Sequence, residues 1–451
     1  MSSKLRRVLL AVVIAGVLPA CGNINDGHPP VPFTVLASVH TDGTLANQDS
    51  GQPVLSGDGR YLVFTSASDK LVDNDDNGAF DVFRRDLKTG VTELVSVGDG
   101  GVPADGDSFR PSVSFDGRWI AFESGATNLT SVAPGFQQVY LRDMNAPAGS
   151  GIVMVSEAAP GTPGNGISQH ASISADGRYV AFSSKAVNFG DAPANAVPII
   201  YRRDMNGSTI LRVSENFSHG EPTPPALPTK KGSVTPSISA DGSRVAYTSD
   251  CTDIVTPDGN NKNDVFVAKI GTPIETVMAS PSFFGGGGFG NSESPAISGD
   301  GLFVAFHSTA NDLIDPDTND SASDVFLFDV ENQIVQIVSV NAAGFQGTVV
   351  EESFNPSISF DGQLVAFDSG ASNMVAGDTN QASDIFIKDM RTGMVTRVSV
   401  DTSGQQGAPN LNSYTPSLSS DGRSVAFVTE AAFVNADANG LPDIYVRSPL
   451  R

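Results

Sequence analysis

The sequence predicts an all-β chain: a seven-bladed β-propeller of four-stranded blades. Three observations carry this. An Asp-Gly pair recurs at Asp58, Asp116, Asp176, Asp241, Asp300, Asp361 and Asp421, at spacings of 58, 60, 65, 59, 61 and 60 residues. Five residues before each Asp stands Pro53, Pro111, Ala171, Pro236, Pro295, Pro356 or Pro416, and three before that a serine. Each copy holds four strand-like runs, and nothing after the first twenty residues sustains a helical period. Four-stranded units repeated in one register build a radial array. A two-sheet sandwich gives no reason for seven copies.

The elements follow in order. PSIS opens each copy, and Asp-Gly, a strong hairpin signal, turns it into the second strand. That strand alternates. Large residues such as Val365 and Phe367 mark one face, and between them stands alanine in six copies and Val63 in the first. Large on one face and small on the other suits sheets stacked face to face around a ring. DIFIKD, DVFRRD or DVFLFD forms the third strand, and VTRVSV, VTELVSV or IVQIVSV the fourth. Blades start near residues 50, 108, 168, 233, 292, 353 and 413. The last copy ends at DIYVRSPLR with no fourth strand. FTVLASVH, residues 33–40, has that strand's character, so the N-terminal strand is expected to complete the last blade and close the ring. The propeller then spans residues 33–451.

Asp-Gly after Pro-Ser-Ile-Ser, then VAFxS, then Asp-(Val/Ile)-(Phe/Tyr)-x-x-Asp, resembles the TolB-like β-propeller repeats of bacterial envelope proteins. The resemblance covers residues 33–451 and implies the fold; propellers host many functions. TolB itself has six blades and a separate preceding domain, so a role in the Tol–Pal system is not carried over.

The N-terminus reads as a targeting segment. Lys4, Arg6 and Arg7 precede an apolar run from Val8 to Leu18, too short for a comfortable span. Leu18-Pro19-Ala20-Cys21 resembles a lipoprotein cleavage box. It implies a signal peptide over 1–20, lipidation of Cys21 and a tether over 21–32; an ordinary secretory signal is the alternative. Gly22 in place of the inner-membrane retention Asp points to the outer membrane of a Gram-negative bacterium. With Cys21 lipidated, Cys251 has no disulfide partner. The formal charge of −23 becomes more negative once the three signal cations are removed. That disfavours nucleic acid, anionic polysaccharide and lipid headgroups as main partners. Membrane association through the lipid alone, and a monomer, are expected.

One face carries minimal turns: Asp-Gly, and Lys88-Thr89-Gly90 or Arg391-Thr392-Gly393. The other carries long, varied loops such as 215–232 and 280–291. Elaborated loops on a rigid scaffold are where binding concentrates. On that face DNDDNGAFD (73–81) begins like a calcium loop, with Asp73, Asp75, Asn77 and Gly78, but Arg84 stands where a bidentate Glu belongs. Related loops are Asp258 to Asp264; Asp317, Asn319, Asp324; Asp378, Asn380, Asp384; and Asp437, Asn439, Asp443. Asp75, Asn77 and Asp81 are read first as turn caps, with calcium as the alternative. Lys262 speaks against a cation in the fourth blade. Blades two and three lack the motif.

Enzyme signals are thin: no Gly-x-Ser-x-Gly and no phosphate-binding loop. His28 lies in the tether, while His40, His170, His219 and His307 fall near the long-loop face in different blades. Phe109, Phe354 and Tyr414, placed before the first strand, are candidates for the channel mouth with His170 and His307. The expected function is a non-enzymatic binding or interaction scaffold, with an envelope protein or peptide favoured over a glycan. The alternative is a metal-dependent envelope hydrolase or lyase, which needs histidines and carboxylates clustered at the channel mouth.

Overall fold

The computed structural model describes residues 31–147, 150–190, 197–207, 209–216, 218, 220, 232–320, 322–348 and 350–450. The signal segment, Cys21, His28 and His219 lie outside them.

Seven four-stranded antiparallel sheets form, six of them in chain order from the axis outward. Blade one comprises Ser50–Leu55, Tyr61–Ser66, Asp81–Asp86 and Thr92–Leu94. In blade seven the outermost strand is Phe33–Leu36, paired antiparallel to Asp443–Ser448 with Phe33 opposite Ser448 and Leu36 opposite Tyr445. The N-terminal strand therefore closes the ring. Ser38 donates to Asp443 at 2.6 Å and Arg447 to Thr34 at 2.8 Å, locking the two chain ends together.

The alternation in the second strand becomes seven interblade cores. Ala121 of blade two packs against Val180 and Phe182 of blade three, and Ala181 against Val245 and Tyr247 of blade four. Val63, Ala246, Ala305, Ala366 and Ala426 play the same part at the other interfaces. An aromatic side chain needs a shallow opposing surface, and alanine supplies it.

The Asp-Gly turns tie the blades near the axis. Each Asp accepts a hydrogen bond from the serine two residues before it, as Asp58 does from Ser56 at 2.6 Å. Backbone hydrogen bonds of 2.9–3.1 Å then run from blade to blade: Asp58 to Phe115, Phe115 to Ala175, Ala175 to Ala240, Ala240 to Gly299, Asp300 to Phe360, Phe360 to Ser420, and Ser420 back to Gly57. That circle is complete. The glycines are needed for shape as well as conformation. Gly177 has φ +76°, and a Cβ there would stand 2.2 Å from the Trp119 ring of the preceding blade.

Candidate functional site at the long-loop mouth of the channel

The first strand is longer than the repeat suggested. It begins at the serine, not the proline: Ser50–Leu55, Ser108–Val113, Ser353–Ile358 and so on. Phe109, Phe354 and Tyr414 therefore lie inside first strands, not before them. The reason is a bulge. In blade one Gly51 pairs with Thr65 and Val54 with Val63, so two residues, Gln52 and Pro53, face one on the partner strand. All seven blades repeat this.

The first bulge residue is left-handed in every blade: Gln52, Arg110, His170, Thr235, Ser294, Asn355 and Thr415 have φ between +46° and +56°. None is glycine, so each costs about 1–2 kcal/mol of backbone strain. Proline follows in six blades, where its missing N–H is harmless because the ladder is already broken. These seven side chains ring the axis at the long-loop end. With the prolines and Ala171 beneath them they line a funnel of about 360 Å³. Below lies an apolar collar of Leu55, Val113, Ile173, Ile238, Ile297 and Ile358, around a smaller space of about 150 Å³ that continues to Phe115 and Phe360 at the Asp-Gly end.

Two buried carboxylates brace the ring. Glu123 is fully buried; it pairs with the Arg110 guanidinium, and its second oxygen accepts the His170 backbone N–H at 2.9 Å. Asp368 is 5% exposed and accepts Asn355 Nδ2 at 2.9 Å and the Thr415 N–H at 3.3 Å. Burial raises its pKa. Gln52 Oε1 serves likewise for the Arg110 N–H, at 2.8 Å. Thus a side chain from one blade holds the strained residue of the next. Burial, with Arg110 nearby, pushes the His170 imidazole down to about 4, so it is neutral at pH 7. Its Nδ1 and the Thr415 hydroxyl are buried without hydrogen-bond partners.

Of the five residues expected at the mouth, His170 lines the funnel. Phe109 packs on Phe80 with centroids 5.2 Å apart, and Phe354 meets the His307 ring edge-on at 5.3 Å. Tyr414 packs against the core between blades seven and one. The residues that do line the lumen, Arg110, Asn355 and Thr415, are their C-terminal neighbours. A two-residue alternation misses them, because the bulge breaks the alternation; the signal available was Ser-x-x-Pro, whose second variable position is the lumen residue. Among the described residues no three His, Cys, Asp or Glu side chains gather as metal ligands. His170 and His307 belong to blades three and five.

The Asp-x-Asn loops form a second recurring node on this face. Asn77 Oδ1 accepts the Ala79 N–H at 2.8 Å, while Nδ2 donates to Asp81 at 2.6 Å and to the Ala104 carbonyl at 2.9 Å. Asp81 also accepts from Ser96. Asn260 with Asp264, Asn380 with Asp384 and Asn439 with Asp443 repeat the contact at 2.8–2.9 Å. Asp81 is thus an interior anchor rather than a turn cap, and Asp73 is exposed, 3.9 Å from His40. The node joins the loop between strands two and three to the blade-to-blade loop. In blade two, Gln138 does both jobs alone: Oε1 accepts from Ser156 at 2.6 Å, and Nε2 donates to the Gly164 carbonyl at 2.9 Å.

Burial drives these anchors up, with a neighbouring Asp adding to it: Asp81 and Asp264 to about 7, Asp324 to about 6. A calcium ion would relieve this, but the donors do not fit one. The Asn oxygens are taken by turn amides in blades one, four, six and seven, and N–H or O–H groups already face the carboxylates. Gln346 Nε2 reaches Asp317, Asn319 and Asp324 at 3.0–3.2 Å. Arg397 lies 3.1 Å from Asp378 and 3.4 Å from Asp384, where a cation would sit. The Tyr445 hydroxyl donates to Asp437 at 2.7 Å.

No family model matches the chain, and no curated protein does. Solved structures do. TolB from Acinetobacter baumannii is 16% identical, covering 70% of this chain and 61% of its own, with a TM-score of 0.38. A putative TolB from Agrobacterium tumefaciens is 16% identical over 79% of this chain and 93% of that one, with a TM-score of 0.41. An oligogalacturonate lyase in complex with manganese is 14% identical over 93% and 97%, with a TM-score of 0.50. At such identities what is shared is the fold: the chain is a seven-bladed β-propeller, with TolB proteins among the structures it is similar to, in keeping with the resemblance of its repeats.

Proposed function

We propose that the chain is an exported, lipid-anchored binding protein of the cell envelope, held at the outer membrane through Cys21, that engages a protein partner at its long-loop face without chemistry of its own. The carrying observation is a contrast within the repeats. Positions that hold the ring together barely vary: Asp-Gly seven times, proline and alanine six times each. The funnel position, identical in backbone, carries glutamine, arginine, histidine, threonine, serine and asparagine. A ring that needed only strain there would repeat one residue, as it does elsewhere. Exposed aromatics on the same face, Phe136, Phe283, Phe284, Phe289 and Phe345, suit a protein interface.

The register of the closing strand supports this orientation. Phe33 pairs with Ser448, at the end of the third strand away from the long loops. A tether leaving Phe33 starts from the Asp-Gly face, which leaves the long-loop face turned from the membrane. The test is photo-cross-linking in native membranes, with the reactive side chain at Phe284 or, as control, at Lys88. A discrete protein adduct from position 284 and none from 88 is expected. Adducts only from 88, or from neither, would overturn the reading.

A further inference from the structure

We propose that the funnel receives the free C-terminal carboxylate of an extended, otherwise uncharged peptide segment, with Arg110 as the anchor. This rests on the long-loop face being the binding face and names the ligand chemistry there.

The ring carries one cation, Arg110. Arg110 gives one nitrogen to Glu123 and has Nε and a second amino group left. Gln52 spends its oxygen on the Arg110 N–H and the Thr65 hydroxyl, so its amide nitrogen is the group left to donate. Asn355 gives its nitrogen to Asp368 and Thr235 its hydroxyl hydrogen to Thr248, so Arg110 is left as the ring's chief donor. The carboxylates nearby are already engaged: Glu123 by Arg110 and the His170 N–H, Asp368 by Asn355 and the Thr415 N–H. What an entering group meets first is therefore a guanidinium held in place from behind. Such a fork matches a carboxylate. Glu123, fully buried, fixes the fork without competing for the lumen side.

Three features select the end of a peptide. The funnel is coaxial and narrow, about 360 Å³, and shuts down onto an apolar collar, so a chain enters end first. Its wall below the polar ring is proline and alanine, which suits a small apolar terminal side chain. The acidic whole, −23, repels a polymer with a charge on every unit, whereas a single terminal carboxylate bears little of that penalty.

The experiment is saturation-transfer NMR on the full chain in detergent, with N-acetyl-trialanine as the free acid, the same peptide as the C-terminal amide, and galacturonic acid. Saturation transfer to the free acid is expected, at least tenfold weaker for the amide and in Arg110→Gln/Glu123→Gln, a pair that removes the cation without stranding a buried charge. The melting temperature of the double variant checks its fold, and Lys88→Ala, on the opposite face, should retain preference for acid over amide. Equal transfer to acid and amide, or an undiminished signal in the double variant, would overturn the proposal. Arg110-dependent transfer to galacturonic acid exceeding that to the peptide would also overturn it, in favour of a sugar acid. If cross-links at Phe284 persist while no peptide preference appears, only the ligand assignment fails.

Discussion

The anchor in blade four makes a testable link between charge and stability. Asp264 is fully buried and accepts from Ser280 and Asn260, both at 2.8 Å, yet burial and then Asp258 hold its carboxyl at about 7 against an ordinary 3.8. A folded-state pKa raised above the unfolded one means the fold binds the proton more tightly than the open chain. The contribution to stability is therefore fully present below the unfolded value and is lost progressively as pH rises from about 4 to 8. Integrated from pH 8 to pH 5, one such group adds about 2–3 kcal/mol. The whole protein will not show this cleanly, because His170, held near 4, and His307, also lowered, work in the opposite direction over the same range. The comparison is thus wild type against Asp264→Asn, which mimics the neutral acid. Denaturant unfolding at pH 5, 6, 7 and 8 should show the variant gaining on wild type as pH rises, by about 2–3 kcal/mol over the range. Its constant offset, from an amide hydrogen facing Asn260 Nδ2, does not affect that slope. Parallel stability curves would show that Asp264 is ionised throughout and that the burial argument fails.

The remaining predictions are these. Gly177→Ala, which meets Trp119 at 2.2 Å, should cost about 2–4 kcal/mol, while Gly100→Ala, at φ +78° with nothing within 4 Å, should cost about 1 kcal/mol, both by denaturant midpoint. Similar losses would mean that the contact with Trp119 is irrelevant. Deleting residues 22–40 removes the closing strand and the Ser38–Asp443 bond, and should lower the melting temperature by several degrees or more; no change would place that strand elsewhere. Cys21→Ser should move the protein from the membrane to the soluble fraction on ultracentrifugation, and unchanged partition would refute lipidation. Millimolar calcium should leave the melting temperature of metal-stripped protein where magnesium leaves it; a calcium-specific rise abolished in Asp378→Ala would restore the metal reading.

The fold was legible because its signals are local and repeated. Asp-Gly fixes a hairpin, and alanine between two large residues states the blade packing. The incomplete last copy, beside a spare strand at Phe33, states the closure. The lumen was not legible for a physical reason. A two-residue period assumes an unbroken ladder, and the bulge at Gln52-Pro53 breaks it in every blade. Starting the first strand at the proline puts aromatics such as Phe109 ahead of it, at the mouth, whereas the bulge turns the neighbouring Arg110 into the lumen. The braces were invisible too: Glu123 and Asp368 sit among Thr65, Ser183 and Val428 at the same position of the second strand, where nothing in one repeat flags a buried charge. The Asp-x-Asn loops were visible as a recurring motif. Their inward roles depend on Ser96, Ser280 and Gln346, which lie 15 to 29 residues away in sequence from the Asp or Asn they touch.

The two ends of the axis also differ in how their polar side chains are used. At the Asp-Gly face the side chains answer one another. Arg118 clasps Asp143 through two bonds of 2.8 Å, Arg178 clasps Asp204 at 3.0 and 2.8 Å, and both guanidinium groups lie over the aromatic ring of the next residue, Trp119 or Tyr179. At the long-loop end, His170 Nδ1, His307 Nδ1 and the Thr415 hydroxyl are buried and unanswered. A buried polar group without a partner costs about 1–3 kcal/mol. The surrounding bulges, pinned by proline and by the neighbouring blade, prevent the ring from relaxing to recover that cost. The left-handed backbone and the braced Arg110 guanidinium coincide at one end of the axis, and a mouth held rigid in advance loses little freedom when a ligand enters it.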